Sequence, residues 1–466
     1  MQDSQTRQPT LVQALLPVML LIFFLGYNIL VFGGSPHIPL IGGSLAASVV
    51  GLYLGHSWKS IEKGLVQGIA IALQACLILL IIGLLIGTWL ISGIVPTMIY
   101  YGLLILSPSI FLFATCLICA LVSLATGSSW STAGTVGIAL IGVGQGLGIP
   151  LPIVAGAIIS GSYFGDKMSP LSDTTNLAPA VAGADLFSHI RHMIYTTGPS
   201  MIFSLILYGL LGLRFNGGDL QREAIDEILT TINAHFTIHP MLLLPAVLVI
   251  FMVIFRVPAL PALLGGALLG GLFAIFFQKT GVGDVMQAAQ SGYISNTGVA
   301  SVDTLLSRGG MDSMLSTVAL IMCALAFGGV LEKTGMLATI AGAILRLARG
   351  TGGLVASTVL TCIAMNIIAP DQYLAIIVPG RMYRDAYESA RLKPKNLSRA
   401  LEDGGTLSSA LVPWNTGGAY MWATLGVYPL AYLPFAFLNL LNPLISITLG
   451  YIGWTMEREE SFSEVN

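Results

Sequence analysis

Charged side chains are scarce in this sequence. Asp, Glu, Lys and Arg make up 9% of the 466 residues, whereas hydrophobic residues make up 55%. A soluble domain could not bury runs such as "LIFFLGYNILVF" and "ACLILLIIGLLIGTWLI". The apolar runs extend over about 17 to 25 residues without alternation, which fits helices that cross a hydrocarbon core of about 30 Å and excludes a β-barrel. The sequence therefore predicts an all-α polytopic membrane protein.

Cysteine and histidine are missing from the places where metal or redox chemistry would need them. All five cysteines lie in apolar runs, so we expect neither a disulfide framework nor a zinc site, although Cys116 and Cys119 form a CxxC pair. We expect none of the six histidines in the core of a crossing. The sequence has no histidine cluster and no Ser/His/Asp set at one depth, which argues against an enzyme. The first residues, "MQDSQTRQPT", lack the apolar core of a removed signal peptide.

The apolar runs predict ten crossings and two further segments that have a polar centre. The polar-centred segments are 109–147, around "ATGSSWST", and 352–390, around "IAPDQYLA". Each is expected to be a re-entrant hairpin with the polar residues at its tip. The predicted crossings are 11–33, 38–55, 67–92, 150–183, 195–213, 238–255, 257–277, 311–333, 400–425 and 430–452.

The second half of the chain repeats the first. "GTWLISGIVPTMI" at 87–99 matches "GVLEKTGMLATIA" at a shift of 242, and the two hairpin tips match at a shift of 243. Five crossings per half is an odd number, so the halves should be inverted repeats, as in secondary transporters. At a shift of 239, three further residues match: Gly165, Ser169 and Asn176 fall on Gly404, Ser408 and Asn415. The predicted units are 1–215 (first repeat), 216–237 (external linker), 238–455 (second repeat) and 456–466 (cytoplasmic tail).

The basic residues predict how the chain is oriented in the membrane. The segments 345–350 and 381–399 are both basic, so both ends of the second hairpin should lie in the cytoplasm. The corresponding loop of the first half, "GVGQGLGIP", carries no charge, as inversion requires. Both termini are then cytoplasmic. A cysteine at Ser389 should be labelled from the cytoplasm, and one at Gly217 from outside.

Polar residues interrupt two of the predicted crossings at equivalent places, in "GDKMSPLSDTTN" and "GGTLSSALVPWNTGG". Proline and glycine open backbone carbonyls there, which a membrane protein tolerates only around a cavity or inside protein. Carbonyl, hydroxyl and amide oxygens suit a small hard cation such as Na+. For any single hydroxyl, satisfying a helix backbone is the simpler role. The candidate ion-binding residues are Ser128, Ser129, Asp166, Ser172, Asp173, Thr174, Thr175, Asn176, Asp371, Ser408, Asn415 and Thr416.

The buried acids should carry the proton. Asp173, surrounded by hydroxyls, is the first choice for the sodium ligand, with Asn176 and Asn415 as its amide partners. Asp166 is either a functional acid or half of a structural ion pair with its neighbour Lys167. Asp371 is expected to be a second proton site or a counter-charge. Two weaker candidates are Asp403 and Glu332, the latter more simply an interfacial pair with Lys333.

Three aromatic residues lie near the predicted tips and breaks. Trp130, Tyr373 and Trp414 could line a pocket for an organic substrate. Aromatic residues in membrane proteins more often pack against neighbours or anchor the interface.

Four stretches resemble the NhaC family of Na+/H+ antiporters: "ATGSSWSTAGTVG", "SGSYFGDKMSPLSDTTNLAP", "APDQYLAIIVPGRMY" and "LEDGGTLSSALVPWNTGGAY". The likeness covers nearly the whole chain. It implies a sodium and proton exchanger of the bacterial inner membrane, without a cofactor or a nucleic-acid partner. That family includes members that exchange sodium and lactate for malate and protons. It also implies a scaffold domain, a transport domain that moves as an elevator, and a homodimer in the lipid bilayer.

Three functions compete at this point. The first is a Na+/H+ antiporter, with or without coupled exchange of malate or lactate. The second is a sodium-coupled transporter of small organic acids without obligatory proton exchange. The third is a membrane enzyme or a channel, against which inverted repeats with hairpins argue because they are typical of alternating access.

Overall fold

The structure is a computed structural model that describes residues 6–32, 34–215 and 219–459. Within these ranges the backbone is almost entirely helical, and its extended pairings are two isolated bridges, Tyr293 with Arg308 and Leu392 with Arg458. The predicted all-α class is confirmed. Gly217, a predicted external position, lies outside the described residues.

The chain before the predicted linker forms helices that are joined by short turns. A π-helical turn, Ala133–Gly137, separates the sixth helix from the seventh, and a 3-10 turn, Leu213–Phe215, follows the tenth. The helices are α1 (Leu11–Phe32), α2 (His37–Tyr53), α3 (Trp58–Ile91), α4 (Ile94–Ile105), α5 (Pro108–Thr126), α6 (Ser129–Thr132), α7 (Ile138–Gly146), α8 (Leu151–Met168), α9 (Asp173–Ala182) and α10 (Leu186–Gly212).

The rest of the chain begins with a helix inside the predicted linker. A second π-helical turn, Glu402–Thr406, interrupts this half, and 3-10 turns occupy Pro240–Leu243, Met311–Met314 and Leu433–Phe435. The helices are α11 (Asp219–His235), α12 (Leu244–Ile254), α13 (Ala259–Phe277), α14 (Val282–Ser291), α15 (Ala300–Leu306), α16 (Leu315–Lys333), α17 (Met336–Leu345), α18 (Gly350–Ile368), α19 (Gln372–Ser389), α20 (Pro394–Leu401), α21 (Leu407–Ser409), α22 (Thr416–Leu425), α23 (Pro429–Tyr432) and α24 (Phe437–Ile452).

Several helices are long and apolar enough to cross a membrane. Within the described ranges there are seven, or up to nine if two sharply bent helix pairs each count as one span. One such pair is α11 with α12, which bend by 97° at the start of the predicted crossing 238–255. The predicted crossings 150–183 and 400–425 are each divided by a polar break, so they contain no single long apolar helix.

The order of elements in the first half recurs in the second. A long helix, a left-handed glycine and a short helix occur as α3, Gly93 and α4, and again as α16, Gly335 and α17. Both glycines have positive φ, +79° and +75°, which residues with a Cβ rarely adopt. A two-armed segment and a broken helix follow in each half. The inverted orientation of the halves stays a prediction.

The helix bounds correct one residue correspondence between the halves. After the break, the chain re-enters a helix at Asp173 in the first half and at Thr416 in the second, a shift of 243. The residues that cap these helices, Ser172 and Asn415, therefore correspond. The shift of 239 paired Asn176 with Asn415 because it aligned identical letters, whereas the helices that follow the two breaks begin 243 residues apart.

The long helix α3 packs closely against α16 in the centre of the molecule. A Cβ added at Gly68 would lie 2.2 Å from the carbonyl oxygen of Leu325, and one at Gly64 would lie 2.9 Å from that of Gly329. Small residues at such positions let two helix backbones approach, the usual basis of helix association in a bilayer.

Two histidines are more deeply placed than the sequence indicated. Asp185 caps α10 by accepting a hydrogen bond from the Ser188 amide, 2.8 Å, so this helix begins nine residues before the predicted crossing. His189 and His192 are therefore inside the helix and buried. Both lie in the first two turns of α10, so the expectation that no histidine lies in the core of a crossing is not contradicted. His189 lies 2.8 Å from the Ser398 hydroxyl, on α20.

The described part of the predicted tail docks on the loop between α19 and α20. The Glu457 carboxylate lies 2.5 Å from the Lys395 ammonium and 3.3 Å from that of Lys393. The hydrogen bond from Lys395 is the main reason that the pKa of Glu457 is below its usual value. Exposed pairs of this kind contribute little to stability, about 0 to 1 kcal/mol.

Candidate functional site

The tips and breaks of both halves meet at one cavity of about 590 Å³. The tip between α5 and α6, the break between α8 and α9, the tip between α18 and α19 and the start of α22 form one side of its wall. Part of α3 and the loop between α12 and α13 form the other side. Three carboxylates line the cavity: Asp166, Asp173 and Asp371. The structure thus brings together the four interruptions that the sequence singled out.

Asp166 is a buried carboxylate, 6% exposed, in the last turn of α8. Its Oδ2 accepts hydrogen bonds from the Ser129 amide, 3.1 Å, and the Ser129 hydroxyl, 2.5 Å. Its Oδ1 accepts a hydrogen bond from the Ser172 hydroxyl, 2.5 Å. Three donors favour the ionised form of a carboxylate. Asp166 therefore ties the first tip to the first break and lies in the wall of the cavity.

The break beside Asp166 follows from the local sequence. Pro170 cannot donate a backbone hydrogen bond, so α8 ends at Met168, and Ser172 caps the start of α9 by accepting from the Thr175 amide. The Thr175 hydroxyl donates to the carbonyl oxygens of Asp166 and Lys167, 3.1 and 3.0 Å. The open carbonyls at the end of α8 are thus satisfied by protein.

Asp173 is the exposed carboxylate of the three. It is the first residue of α9, where the positive end of the helix favours a negative charge. The Tyr373 hydroxyl, from the second tip, lies 3.5 Å from Asp173 Oδ2. Asp173 therefore faces the second half of the molecule across the cavity.

Asp371 has a structural role as well as a place in the cavity wall. It caps α19, since its Oδ1 accepts hydrogen bonds from the amides of Tyr373, 2.9 Å, and Leu374, 3.1 Å. Its Oδ2 accepts a longer bond, 3.4 Å, from the Thr416 hydroxyl. Asp371 thus holds the second tip to the second break, as Asp166 holds the first.

The remaining candidate residues divide into three groups. Ser128, Thr174 and Thr416 line the cavity, and Ser129, Ser172 and Thr175 lie directly behind Asp166. The other three candidates are not part of the cavity wall. Asn176 is exposed and donates to the carbonyls of Pro170 and Ser172, whereas Asn415 and Ser408 are buried around Asn366.

Comparison with known proteins gives the chain a family. A model of the Na+/H+ antiporter family matches residues 161–454. This chain belongs to the Na+/H+ antiporter family. The matched region contains both breaks, the second tip and all three cavity carboxylates. The resemblance to the NhaC antiporters is confirmed.

Relatives of this antiporter-family chain are named for different cargoes. The Na(+)/H(+) antiporter NhaC of Alkalihalophilus pseudofirmus is 41% identical over 92% of this chain and 93% of its own. The Malate-2H(+)/Na(+)-lactate antiporter of Bacillus subtilis is 40% identical over 97% and 96%. The arginine/ornithine antiporter ArcD of Halobacterium salinarum is 38% identical over 98% and 96%. All three are named as antiporters, so the shared property is exchange.

Lys167 pairs with Asp403, and not with its neighbour Asp166. Adjacent residues on a helix point about 100° apart, so Lys167 reaches α20 and its π-helical turn while Asp166 reaches the cavity. Both members of the pair are fully buried, and Asp403 also accepts a hydrogen bond from the Thr196 hydroxyl, 3.1 Å. The interpretation of Asp166 and Lys167 as an ion pair is therefore wrong, and this ion pair instead joins the two halves.

We expect Lys167→Met to lower the free energy of unfolding by about 3 to 5 kcal/mol, because it leaves the Asp403 carboxylate buried without its cation. The double variant Lys167→Met with Asp403→Leu should recover most of that loss. Thermal unfolding of the purified protein in detergent measures both. Arg384→Met is the matched control, since its pair with Glu388 is more than half exposed and should contribute less than about 1 kcal/mol. Equal losses in the two single variants would contradict the assignment.

Several residues of the cavity were not singled out in the sequence. Gln74, on α3, and Arg256, between α12 and α13, also line the cavity. Arg256 has a φ of +65°, unusual for a residue with a side chain. In the sequence, Arg256 stands out only as a single charged residue between two apolar runs. Glu332 is exposed and is not part of the cavity wall, and its interpretation as an interfacial pair with Lys333 stays a prediction.

The three aromatic candidates have different positions. Trp130 and Tyr373 line the cavity, and Trp130 stacks on Tyr420 with ring centres 4.2 Å apart. Trp414 is not part of the wall. Its indole nitrogen donates to the carbonyl oxygen of Ile367, 2.8 Å, so it packs the second break.

Proposed function

We propose that the protein is a Na+/H+ antiporter in which Na+ and H+ compete for the cavity carboxylates Asp166 and Asp173. The observation that carries the proposal is Asp166, a buried carboxylate with three donors that is reached from a cavity at the meeting point of two tips and two breaks. Family membership supports it. Because Asp166 and Asp173 interact electrostatically, occupancy of one affects the other.

Competition between two cations at one carboxylate is sufficient for exchange. Na+ would be held by the carboxylate oxygens of Asp166 and Asp173 with hydroxyl oxygens of Ser128 and Thr174, which are hard ligands that suit it. A proton on either carboxyl removes the charge that attracts Na+. The protein then releases one ion before it binds the other, provided that the site is open to one side of the membrane at a time. Asn176 and Asn415 support the two breaks and are no longer proposed as direct sodium ligands.

A small organic anion fits the same cavity as additional cargo. The volume of about 590 Å³ exceeds what a lone ion needs, and Arg256 supplies a guanidinium that can bind a carboxylate. The malate and lactate named for one relative are candidates of this class. Transport of a small acid with Na+, without obligatory proton exchange, is the second candidate function.

The wider assembly is part of the same proposal. We expect a bacterial inner-membrane protein with both termini in the cytoplasm, acting as a homodimer. The helices that carry the tips and breaks of both halves would move as an elevator against the part that contains α3, α12 and α13. The cavity lies between these two groups of helices, which is the place where such a movement would expose it to either side.

Reconstituted vesicles test the proposed function. An inward Na+ gradient should drive protons outward in proteoliposomes, observed with a trapped pH dye, and Asp166→Asn vesicles should behave like empty ones. The measurement is repeated with malate and with lactate on either side. Acid uptake that depends on Na+ but is unaffected by collapsing the pH gradient would favour the second function.

A further inference from the structure

A second pocket, of about 480 Å³, lies where the described chain begins and shares no lining residue with the ion site. Four parts of the chain form its wall: the segment before α1, the loop between α2 and α3, the end of α16, and α17 with the residue that follows it. Each part contributes one basic side chain, and these are Arg7, His56, Lys333 and Arg346. The pocket thus collects positive charge from distant parts of the sequence.

The positive charges of this pocket have no carboxylate to balance them within the described ranges. No Asp or Glu there lines the pocket, and none of its four basic side chains forms an ion pair with a described residue. Glu332, the chain neighbour of Lys333, is exposed and is not part of the wall. Burial lowers the pKa of His56, and the charge of Lys333 lowers it further. Like charges held close together repel one another, so this pocket attracts an anion.

Hydrogen bonds hold the segment that carries Arg7 against the other parts of the wall. The Arg7 amide donates to the carbonyl oxygen of Leu54, 2.9 Å, directly after α2. The Thr339 hydroxyl, on α17, donates to the carbonyl oxygen of Pro9, 3.3 Å, and Pro9 is buried. Because these contacts already fix the backbone at Arg7, little binding energy is needed to order this segment around a ligand.

The surroundings of the pocket indicate the level of the lipid headgroups. Tyr53 and Trp58 stand on either side of the loop that carries His56, and they are 69% and 54% exposed. Exposed aromatic side chains of this kind are typical of the interface between membrane and water. The helix that leads to the pocket, α2, also has an exposed apolar face with helical spacing, formed by Ile38, Ile41, Leu45, Val49 and Leu52. Acyl chains can cover that face while a headgroup reaches the pocket at the end of α2.

We propose that this pocket binds a phosphate group, supplied by an anionic phospholipid of the surrounding bilayer. The guanidinium groups of Arg7 and Arg346 can each donate two hydrogen bonds to phosphate oxygens, and the Lys333 ammonium adds a compact positive charge. The volume of the pocket is in the range of small-molecule sites, which leaves room for more of a headgroup than its phosphate. Binding joins the start of the chain to α16 and α17. This inference does not depend on the proposed Na+/H+ exchange.

Native mass spectrometry of the purified full-length protein tests the site by the affinity for single lipid molecules. Phosphatidylglycerol is the anionic probe, and phosphatidylcholine, which has no net charge, is the reference. A hydrogen bond to a charged group contributes roughly tenfold in affinity, so the triple variant should bind phosphatidylglycerol about a hundredfold more weakly or worse. This variant combines Arg7→Gln, Lys333→Gln and Arg346→Gln. Lys333→Gln alone should lose about tenfold, and Lys333→Arg should restore the binding because it keeps the charge.

A matched control removes the same charge from exposed side chains outside the pocket wall. It should weaken phosphatidylglycerol binding less than about fivefold, because salt screens charges that do not touch the lipid. The control combines Lys59→Gln, Lys63→Gln and Arg349→Gln. Equal affinity of the triple variant and the control would overturn the site.

Two measurements on the unaltered protein identify the source of the phosphate group. Phosphatidylglycerol should raise the midpoint of thermal unfolding in detergent, whereas phosphatidylcholine and inorganic phosphate should not. An equal rise with inorganic phosphate would overturn the lipid as the ligand. A phosphatidylglycerol with a photoactivatable headgroup should label peptides of the pocket wall, including the segment that contains Arg7. Labelling confined to other parts of the chain would overturn the proposal without the need for any variant.

Discussion

Asp166→Asn is expected to abolish coupled exchange while the protein still inserts and folds. Asparagine keeps the size of the side chain; its single oxygen can accept the hydrogen bonds from Ser129, and its amide can donate to the Ser172 hydroxyl oxygen. It cannot hold a proton or carry the negative charge that a sodium site needs. Sodium-driven pH change in proteoliposomes should fall to the level of empty vesicles, with normal elution of the protein on size exclusion.

Asp173→Asn is the informative comparison for that result. Asp173 is exposed in the cavity and its contact with Tyr373 is long, 3.5 Å. We expect this variant to need about tenfold more Na+ for half-maximal exchange but to keep measurable transport, since Asp166 remains. Full exchange by Asp166→Asn together with silence of Asp173→Asn would reverse the two roles. It would restore Asp173, the first choice from sequence, as the primary ligand.

The difference between these aspartates shows what the sequence could and could not predict. Hydroxyl-rich interruptions in apolar runs located both breaks and both tips, because membrane-buried backbone must be satisfied and only a cavity makes polar interruptions useful. Which of Asp166 and Asp173 is the primary ion ligand depends on the directions of their side chains. Asp166 points from the end of α8 to the tip residue Ser129, 37 positions away in the chain, and no local pattern contains that contact.

Partners across the halves were equally out of reach of a local pattern. Lys167 was paired with its neighbour in sequence, but its partner Asp403 is 236 residues away. The scaffold side of the cavity, with Gln74 and Arg256, was missed because nothing in an apolar helix or a short turn marks the direction in which one polar side chain points.

The close contact between α5 and α8 is expected to be highly sensitive to substitution. A Cβ added at Gly161 would lie 2.1 Å from the carbonyl oxygen of Cys116 and 2.9 Å from the Cβ of Cys119. The added Cβ would clash with a backbone atom, which cannot move aside as a flexible side chain can. The two helices would therefore have to separate. Because α8 carries Asp166 and α5 leads into the first tip, separation would also open the ion site.

Gly161→Val should therefore lower the free energy of unfolding by about 3 kcal/mol or more, and much of the protein should be lost from the membrane fraction. Gly209→Val is the matched control, because Gly209 is also inside a helix, α10, and an added Cβ there meets nothing within 4 Å. Both variants acquire the same β-branched side chain, so helix propensity cancels between them. Yield after detergent extraction and the midpoint of thermal unfolding measure the difference. Equal stability of the two variants would mean that α5 and α8 do not approach as closely as the structure places them, and the hydrogen bonds that join Asp166 to the first tip would then lose their support.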